Sequence, residues 1–146
     1  MKQIVVATDL SDESDAVVAK GFEIAGPFDA DVTVVHVLTQ ARLQDLREDM
    51  RSSEGSGEAY LDEVLTLMQD AVAEQVERVA GSADAATAVV ARGTLADEVL
   101  GRARSTDADL IVLGLRSRSR VGKLIMGSGV QEILLSTPCA VLGVPI

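Results

Sequence analysis

Aromatic residues are scarce in this sequence: its 146 residues include two Phe, one Tyr and no Trp. Proteins that bind single-stranded nucleic acid commonly stack the bases on aromatic side chains, so this composition argues against such a platform. Positive charge is also scarce, and the formal net charge is −10. A surface of that sign repels phosphodiester backbones and anionic lipid headgroups. We therefore expect neither nucleic acid nor a membrane surface among the partners of this protein.

Cysteine and long apolar runs are scarce as well. Cys139 is the only cysteine, which excludes an internal disulfide bond and fits a reducing compartment. No apolar run approaches the roughly 18 residues of a transmembrane helix. The first apolar run reaches an acid at Asp9, too early for the core of a secretory signal peptide. These absences predict a cytoplasmic protein.

The apolar residues that are present form five short runs rich in β-branched side chains, at 3–7, 32–38, 87–91, 109–114 and 140–144. The runs are mostly continuous rather than alternating, which is typical of strands buried on both faces of a parallel sheet. Helical patterns lie between them, at about 12–26, 58–80, 95–104 and 129–136. This alternation predicts a single α/β domain over residues 1–146 with right-handed crossovers. The polar segment 39–57 is longer than an ordinary connection, and we expect it to be a mobile loop.

Ligands of doubly wound sheets bind beyond the carboxyl ends of the strands, where the winding direction reverses. Four segments follow predicted strands and are therefore the candidate binding positions: Asp9–Ser11, Val37–Gln40, Gly93–Thr94 and the residues after Gly114. Any site of this fold is expected to draw its residues from these four segments.

The last of these segments, GLRSRSRVGKLIMGSG, is basic although the chain is acidic. It contains no acidic residue and four positively charged ones, Arg116, Arg118, Arg120 and Lys123. It fails as a Walker A loop because Ser117 and Leu124 stand where glycine and Ser/Thr are needed. A dinucleotide fingerprint that starts at Gly127 is excluded because its third glycine is Glu132. The segment is too long for a simple strand-to-helix connection and matches neither common phosphate motif.

The end of the segment is a predicted helix start. Ser128 is the expected N-cap, with Gln131 three residues later at the spacing of a capping box. The first amides of a helix, together with its dipole, form a ready anion site, and Gly127 and Gly129 would let a phosphate approach the backbone. An ordinary helix cap and an anion-binding site both fit this pattern.

The same segment resembles the signature of the universal stress protein family, Gly-x2-Gly-x9-Gly-Ser/Thr, which holds ATP in the nucleotide-binding members. Gly114 matches the first glycine, Gly127 the third and Ser128 the Ser/Thr, while Ser117 replaces the second glycine. The resemblance extends over the whole chain through VVATDLSDESDAV, VVHV, TLADEVLGRARSTDADLIVLG and STPCAVLGV. It implies an adenine nucleotide alpha-hydrolase-like fold, with one five-stranded parallel sheet in the order 3-2-1-4-5 and four helices.

The resemblance also implies a ligand, ATP, which Mg²⁺ can accompany at its phosphates. Adenine and ribose would lie near Ala7, Thr8 and Asp9, with the backbone of Val37 at the adenine edge and Gly114 at the ribose. The phosphates would contact Gly127, Ser128 and Gly129. Arg116 and Lys123 could add charge-assisted contacts, and the hydroxyl of Ser117 could donate to a phosphate or its side chain could obstruct one.

Several residues have a structural interpretation beside the functional one. Asp9 fits a helix cap as well as a site residue, and His36, the only histidine, fits a packed strand residue better than a catalytic one. Cys139 follows Pro138 and is expected to be buried and inert. No Ser/His/Asp or Cys/His set and no zinc ligand set can be assembled around His36, so an enzyme is the least favoured class.

Three functions remain from the sequence. The first is a cytoplasmic stress-response module that binds ATP, the second is a family member that acts through a regulatory protein partner without nucleotide, and the third is a slow ATPase. The apolar run at 140–146 lies at the expected sheet edge, where an unpaired strand favours association. Similarity to the family suggests a homodimer in which these last strands pair antiparallel.

Overall fold

The computed structural model describes residues 1–49, 57–116 and 126–146. The strands are β1 (Gln3–Ala7), β2 (Asp31–Leu38), β3 (Thr87–Arg92), β4 (Leu110–Leu115) and β5 (Ala140–Pro145). The helices are α1 (Ser14–Phe28), α2 (Gln40–Asp49), α3 (Gly57–Ala80), α4 (Leu95–Ser105) and α5 (Ser128–Ser136). Strands and helices alternate, as the spacing of the apolar runs predicts, except that two helices follow β2.

The five strands form one parallel sheet in the order β3-β2-β1-β4-β5, which confirms the expected topology. The central strand β1 pairs on both sides, and its Val5 lies opposite Thr33 of β2 and Ile111 of β4. The winding direction reverses between β1 and β4. A crevice at the carboxyl ends of these two strands is the consequence of this topology.

The core has two layers because helices cover both faces of the sheet. Alternate residues of β1 divide between them: Val6 packs with Val17 of α1 and Val72 of α3, whereas Val5 packs with Val99 of α4. All of these side chains are buried. Within the described ranges, no helix has both the length and the apolar character that crossing a bilayer requires.

The expectation of four helices and a mobile loop at 39–57 was wrong in part, because α2 occupies most of the first half of that segment. Leu43 of α2 is 2% exposed and packs with Leu38 of β2 and Val64 of α3. The helix is held by this contact with distant residues rather than by an amphipathic pattern of its own. Residues 50–56 lie outside the described part of the chain, where the loop prediction stays untested.

Helix starts were predicted with mixed success. Thr94 caps α4, since its Oγ1 accepts a hydrogen bond of 3.1 Å from the backbone N–H of Asp97. Ser128 does not cap α5, because it is the first helical residue and Gly127 takes the cap position without a side-chain hydrogen bond. Gln131 does reach back, but its Nε2 donates to the Met126 carbonyl at 3.1 Å instead of completing a capping box.

Candidate functional site

A cavity of about 260 Å³, which we call the strand-end cleft, opens at the carboxyl ends of β1, β2 and β4. It lies where the winding of the sheet reverses, as expected for a ligand site of this topology. Six of the residues singled out in the sequence line it together: Ala7, Thr8, Asp9, Val37, Gly114 and Arg116. The strand-end argument and the family resemblance therefore converge on one place in the structure.

Apolar side chains form much of the wall of the strand-end cleft, among them Val17, Leu95, Val130 and Ile146. Gly114 is tightly enclosed here, since a Cβ would lie 2.9 Å from Cδ1 of Ile146 and 3.2 Å from Cγ2 of Val17. Glycine at this position lets both side chains close on the end of β4. An apolar slot with a few polar groups at its rim suits a flat, partly apolar ligand such as a purine.

The backbone of Val37 faces the strand-end cleft because β1 is shorter than β2. The Val35 carbonyl accepts a hydrogen bond of 2.9 Å from the Thr8 N–H, so Val35 directs its backbone groups toward β1. In a parallel strand, every second residue directs its N–H and C=O to the same side, so Val37 also faces β1. The strand β1 ends at Ala7, and the N–H and C=O of Val37 point beyond that end.

Thr8 belongs to a buried polar network behind the strand-end cleft. Its hydroxyl donates to Oε1 of Gln75 at 2.7 Å and accepts from the Leu10 N–H at 3.1 Å. Nε2 of Gln75 donates to Oγ of Ser14 at 2.8 Å and to Oδ1 of Asp15 at 2.9 Å. The Thr8 side chain is thus committed to the protein, and what it can offer a ligand is a fixed backbone position.

Asp9 and Arg116 form an ion pair at the rim, with Nη2 of Arg116 2.6 Å from Oδ2 of Asp9. The same Nη2 donates to Oγ of Ser11 at 2.6 Å. The Ser11 hydroxyl and amide donate to the other oxygen of Asp9, at 2.6 and 2.9 Å. Oε2 of Glu13 lies 3.9 Å from Nη1 of Arg116. These contacts connect the turn after β1 to the end of β4, across the mouth of the cleft.

The ion pair and its hydrogen bonds keep Asp9 ionised. Partial burial raises the pKa of Asp9, but the hydrogen bonds from Ser11 and the charge of Arg116 outweigh it and hold the pKa below its ordinary value. Asp9 was predicted either as a cap or as a site residue. It lines the cleft and organises the turn before α1, while α1 itself has Glu13 at its cap position.

His36 lies beside Val37 on β2 and also lines the strand-end cleft. Its Nδ1 is 2.9 Å from the Thr8 carbonyl oxygen, so this nitrogen carries a proton and donates to that oxygen. The histidine therefore fastens the end of β1 to β2, in agreement with its interpretation as a packed strand residue. It is half-buried and has no acidic partner among the described residues.

The start of α5 lies next to the strand-end cleft, which it reaches through Val130. Gly127, Ser128 and Gly129 do not line the cavity themselves. An added Cβ at Gly127 would have open space around it, whereas one at Gly129 would lie 3.3 Å from the Leu95 side chain. The close packing of Gly129 against Leu95 of α4 thus explains why a residue without a side chain is present there. Gly127 has no such neighbour among the described residues and leaves the first amides of α5 accessible.

The remaining predicted site residues, Ser117 and Lys123, lie outside the described residues, as do Arg118 and Arg120. The role of Ser117 in place of the second signature glycine stays a prediction. Arg116 is the last described residue before this gap, and it is the one cation of the segment whose contacts are known.

Sequence reasoning missed several residues of the cleft wall: Ser14, Val17, Leu95, Leu113, Val130 and Ile146. Most of them are ordinary apolar residues, which carry no motif. Leu95 and Val130 had a usable signal, because each stands at the start of a helix that follows a candidate strand end. Helix starts are placed over the strand ends in this topology, so their first apolar residues become wall residues.

Metal-binding and thiol chemistry receive no support from the part of the chain that the structure describes. In those ranges, no group of three or more His, Cys, Asp or Glu side chains could hold a metal ion. Cys139 is half-buried, and its burial raises the pKa of the thiol above the usual range. A protonated, partly enclosed thiol is a poor nucleophile at neutral pH.

Comparisons of the sequence with family models and with curated proteins point to the same family. The model of the Universal stress protein family matches residues 1–145. A universal stress protein of Methanocaldococcus jannaschii is 27% identical over 145 residues, which cover 97% of this chain and 80% of that protein. One of Mycolicibacterium smegmatis is 48% identical over 48 residues, which span 33% of this chain and only 37% of that protein.

Solved structures of this family share the fold. One from Archaeoglobus fulgidus superposes with a TM-score of 0.68 at 28% identity and 98% coverage of both chains. A universal stress protein in complex with cAMP has a TM-score of 0.64 at 18% identity, covering 99% of this chain and 96% of that one. An Archaeoglobus fulgidus protein in complex with dAMP has a TM-score of 0.55 at 22% identity, covering 98% and 97%.

Proposed function

Because the chain belongs to the universal stress protein family, we propose that it is a regulatory module that binds ATP in the strand-end cleft. One observation carries the proposal: the six cleft residues inferred from strand ends and from the family signature line a single cavity beside the start of α5. Two relatives of the same fold are complexes with cAMP and dAMP, which makes an adenine nucleotide the natural class of ligand.

Groups suited to the base and the sugar lie in the described part of the cleft. The N–H and C=O of Val37 point past the end of β1, where they can pair with the donor and acceptor on the edge of adenine. Val130 and Ile146 supply apolar contact for the ring. Asp9 at the rim and the backbone of Gly114 in the wall are the residues that the family resemblance implies near the ribose.

The phosphates would extend from the cleft toward α5. The cavity of about 260 Å³ is just below the roughly 300–1,000 Å³ that is usual for small-molecule sites, so it suits the nucleoside part better than a whole ATP. The first amides of α5 carry no capping side chain and form the positive end of the helix dipole. When bound, Mg²⁺ would neutralise phosphate charge, with ATP rather than a protein cluster supplying its ligands.

We propose binding rather than catalysis, in the cytoplasm. His36 is the one imidazole of the chain, and its Nδ1 is engaged by the Thr8 carbonyl. Nε2 of His36 is left as the basic nitrogen of the ring, but no hydroxyl or carboxyl group of the described residues hydrogen-bonds to it, and Asp9 is ionised but paired with Arg116. The described cleft therefore contains no assembled pair of nucleophile and base. A slow ATPase is therefore less well supported than a module whose state is set by the bound nucleotide.

Saturating Mg-ATP is expected to raise the melting temperature of the protein by roughly 5–10 °C. A ligand at about 100 times its Kd adds about 2.7 kcal/mol to the free energy of unfolding, and each kcal/mol shifts a domain of this size by about 2–4 °C. Differential scanning fluorimetry with ATP, and chromatography of nucleotide released from the purified protein, provide the measurement.

Gly114→Val supplies the control for this prediction, because the new side chain would enter the space between Ile146 and Val17. Its melting temperature should change by less than about 1 °C on adding Mg-ATP, relative to the same variant without ligand. No shift for the unaltered protein at millimolar ATP would refute nucleotide binding and favour action through a protein partner.

We also propose that the protein is a homodimer formed through β5. This strand is at the edge of the sheet, and every one of its residues is at least partly exposed although most are apolar. Leu134 and Leu135 of α5, the helix that precedes β5 in the chain, are also exposed, at 43% and 86%. An unpaired apolar edge is a hazard unless it is covered, and a second copy of β5 in antiparallel pairing would cover it.

The dimer is expected to show in solution as twice the 15.3 kDa chain mass by light scattering at micromolar concentration. Hydrogen exchange at the β5 amides, Val141–Val144, should slow as protein concentration rises, because pairing would protect the outward-facing N–H groups. A monomeric mass with concentration-independent exchange at β5 would contradict the proposal.

A further inference from the structure

The ion pair between Asp9 and Arg116 lies in the cleft that we propose for the nucleotide. Both side chains line the cavity, and the pair spans its mouth from the turn after β1 to the end of β4. One terminal nitrogen, Nη2 of Arg116, contacts both Oδ2 of Asp9 and Oγ of Ser11 at 2.6 Å. The guanidinium therefore already holds a carboxylate at the rim where a phosphorylated ligand would enter.

We propose that Asp9 holds the anion position of Arg116 until a ligand phosphate replaces it, so that Arg116 favours nucleotides over nucleosides and Asp9 moderates that preference. The inference rests on the proposed function of the cleft and names two residues that set its ligand class. A nucleoside carries no anion and leaves the pair closed. A nucleotide opens it, taking Arg116 for its phosphate and freeing Oδ2 of Asp9 for a ribose hydroxyl.

The pair is suited to such an exchange because it is weak enough to open. The side chains of Arg116 and Asp9 are 45% and 52% exposed, and pairs of this kind contribute a factor of about five or less to an equilibrium constant. A phosphate brings more negative charge than a carboxylate and offers Arg a bidentate partner. Arg116 should therefore bind the ligand phosphate in preference to the carboxylate of Asp9. Because the pair must open first, phosphate binding is weaker than it would be to an unpaired Arg116.

Asp9 keeps its hydrogen bonds with Ser11 when the ion pair opens. Its Oδ1 accepts from the amide and the hydroxyl of Ser11, and these bonds do not involve Arg116. The turn can thus keep the carboxylate in place while Oδ2 exchanges the guanidinium for a hydroxyl donor. The exchange requires rotation of the Arg116 side chain alone, on the rim of the cleft.

The test compares AMP with adenosine, because the two ligands differ by the phosphate alone. Calorimetric titration gives, for each protein, the ratio of the affinity for AMP to the affinity for adenosine. Arg116→Gln should lower that ratio by about 10-fold or more, as expected for loss of a hydrogen bond to a charged group. Asp9→Asn should raise it by about 3- to 5-fold, because Arg116 is then free before the ligand arrives.

Two controls separate exchange at Arg116 from a simple change of net charge. Glu13→Gln removes the same charge, but the Glu13 carboxylate is 3.9 Å from Nη1 of Arg116 and holds it only loosely. It should raise the ratio less than Asp9→Asn does. In the double variant Asp9→Asn/Arg116→Gln, the gain from Asp9→Asn should disappear, since the liberated cation is no longer there.

The Arg116 side chain gives a readout that needs no substitution. Its Nε–Hε signal in NMR spectra of the unaltered protein should shift on adding AMP and stay in place on adding adenosine. An unchanged or lowered affinity ratio in Asp9→Asn, or a gain that persists without Arg116, would overturn the inference while nucleotide binding stands. Failure of both the unaltered protein and Asp9→Asn to bind ATP, AMP or adenosine would refute the proposed function, and this inference with it.

Discussion

Gly21→Ala is expected to lower the free energy of unfolding by about 1–3 kcal/mol, although alanine is the better helix former. Gly21 lies within α1, and a Cβ at this position would be 2.5 Å from Cγ2 of Val6 on β1. Val6 is fully buried among the side chains that α1 and α3 contribute to that face of the sheet. Valine is stiff at χ1, so the overlap can be relieved mainly by moving α1 away from the sheet.

Gly101→Ala is the matched control, since Gly101 is also inside a helix but an added Cβ would have open space around it. This variant should gain about 0.5–1 kcal/mol, the usual advantage of alanine over glycine in a helix. Gly26 is a poorer control because Pro27 follows it and restricts any residue that bears a Cβ. Urea denaturation of both variants measures the two changes, which are predicted to have opposite signs.

Shortening Val6 tests the cause of the Gly21 effect. In the double variant Gly21→Ala/Val6→Ala, the new methyl group occupies part of the space that the valine leaves. The double variant should therefore lose less stability than the sum of the two single variants. Strict additivity, or a Gly21→Ala protein as stable as the original, would show that α1 does not depend on close approach at this point.

Strand positions and strand ends could be predicted from the sequence because they follow from burial. β1, β2 and β4 are covered on both faces, so their apolar runs are continuous and β-branched, and the structure confirms them almost residue for residue. The positions immediately after them needed no further information, since chain reversal in this topology places all of them at one edge. Asp9 and Val37 lie in segments that were located in this way, Gly114 was identified by the family signature, and the structure brings the three together around one cavity.

Features that depend on a partner distant in sequence could not be predicted. α2 is polar along most of its length, and its Leu43 is buried by Leu38 and Val64. One local signal did exist: the hydroxyl of Thr39 accepts from the Arg42 N–H at 3.2 Å, an N-cap spacing that the sequence displays. The pairing of Asp9 with Arg116 carried no signal, because 107 residues separate the two partners.

Gln75 illustrates the same limit inside a helix that was predicted well. The 24-residue α3 shows clear helical periodicity, and its Val72 and Val76 are buried as that pattern requires. Gln75 is 1% exposed beside them, because its partners are Thr8 in the turn after β1 and Ser14 at the start of α1. A glutamine next to apolar positions is normally assigned to the surface, and the fold alone shows that this one is in the interior.

Gln75→Leu is therefore expected to destabilise the protein by about 2–4 kcal/mol despite the similar size of the two side chains. The Thr8 hydroxyl would lose its acceptor, and Ser14 and Asp15 would each lose a donor. Each buried polar group left without its partner costs about 1–3 kcal/mol, and partial rearrangement, such as a bond from Thr8 to Ser14, offsets some of the total. Chemical denaturation at neutral pH measures the loss.

Gln75→Glu separates the loss of hydrogen bonds from the presence of charge. The new carboxyl group would lie where Nε2 of Gln75 now donates to Asp15 at 2.9 Å. A hydrogen bond from Arg78, countered in part by burial and supported by Gln75, holds the pKa of Asp15 below its usual value, so Asp15 is ionised at neutral pH. Burial and this neighbouring negative charge should both raise the pKa of the new carboxyl group.

The variant Gln75→Glu should consequently become less stable as pH rises. Its folded-state pKa would exceed the unfolded value of about 4.3, so the folded state binds more protons between those two values and the free energy of unfolding falls with increasing pH there. Each unit of that pKa difference corresponds to about 1.4 kcal/mol. At pH values below this window, the protonated carboxyl group can donate to Asp15 as the amide does.

Gln75→Leu is the control, because it adds no titrating group. Its stability relative to the unaltered protein should be nearly independent of pH between the folded-state and unfolded-state pKa values of Gln75→Glu. Parallel pH profiles for the two variants would show that position 75 is accessible to water, contrary to its place in the buried network that supports the floor of the cleft.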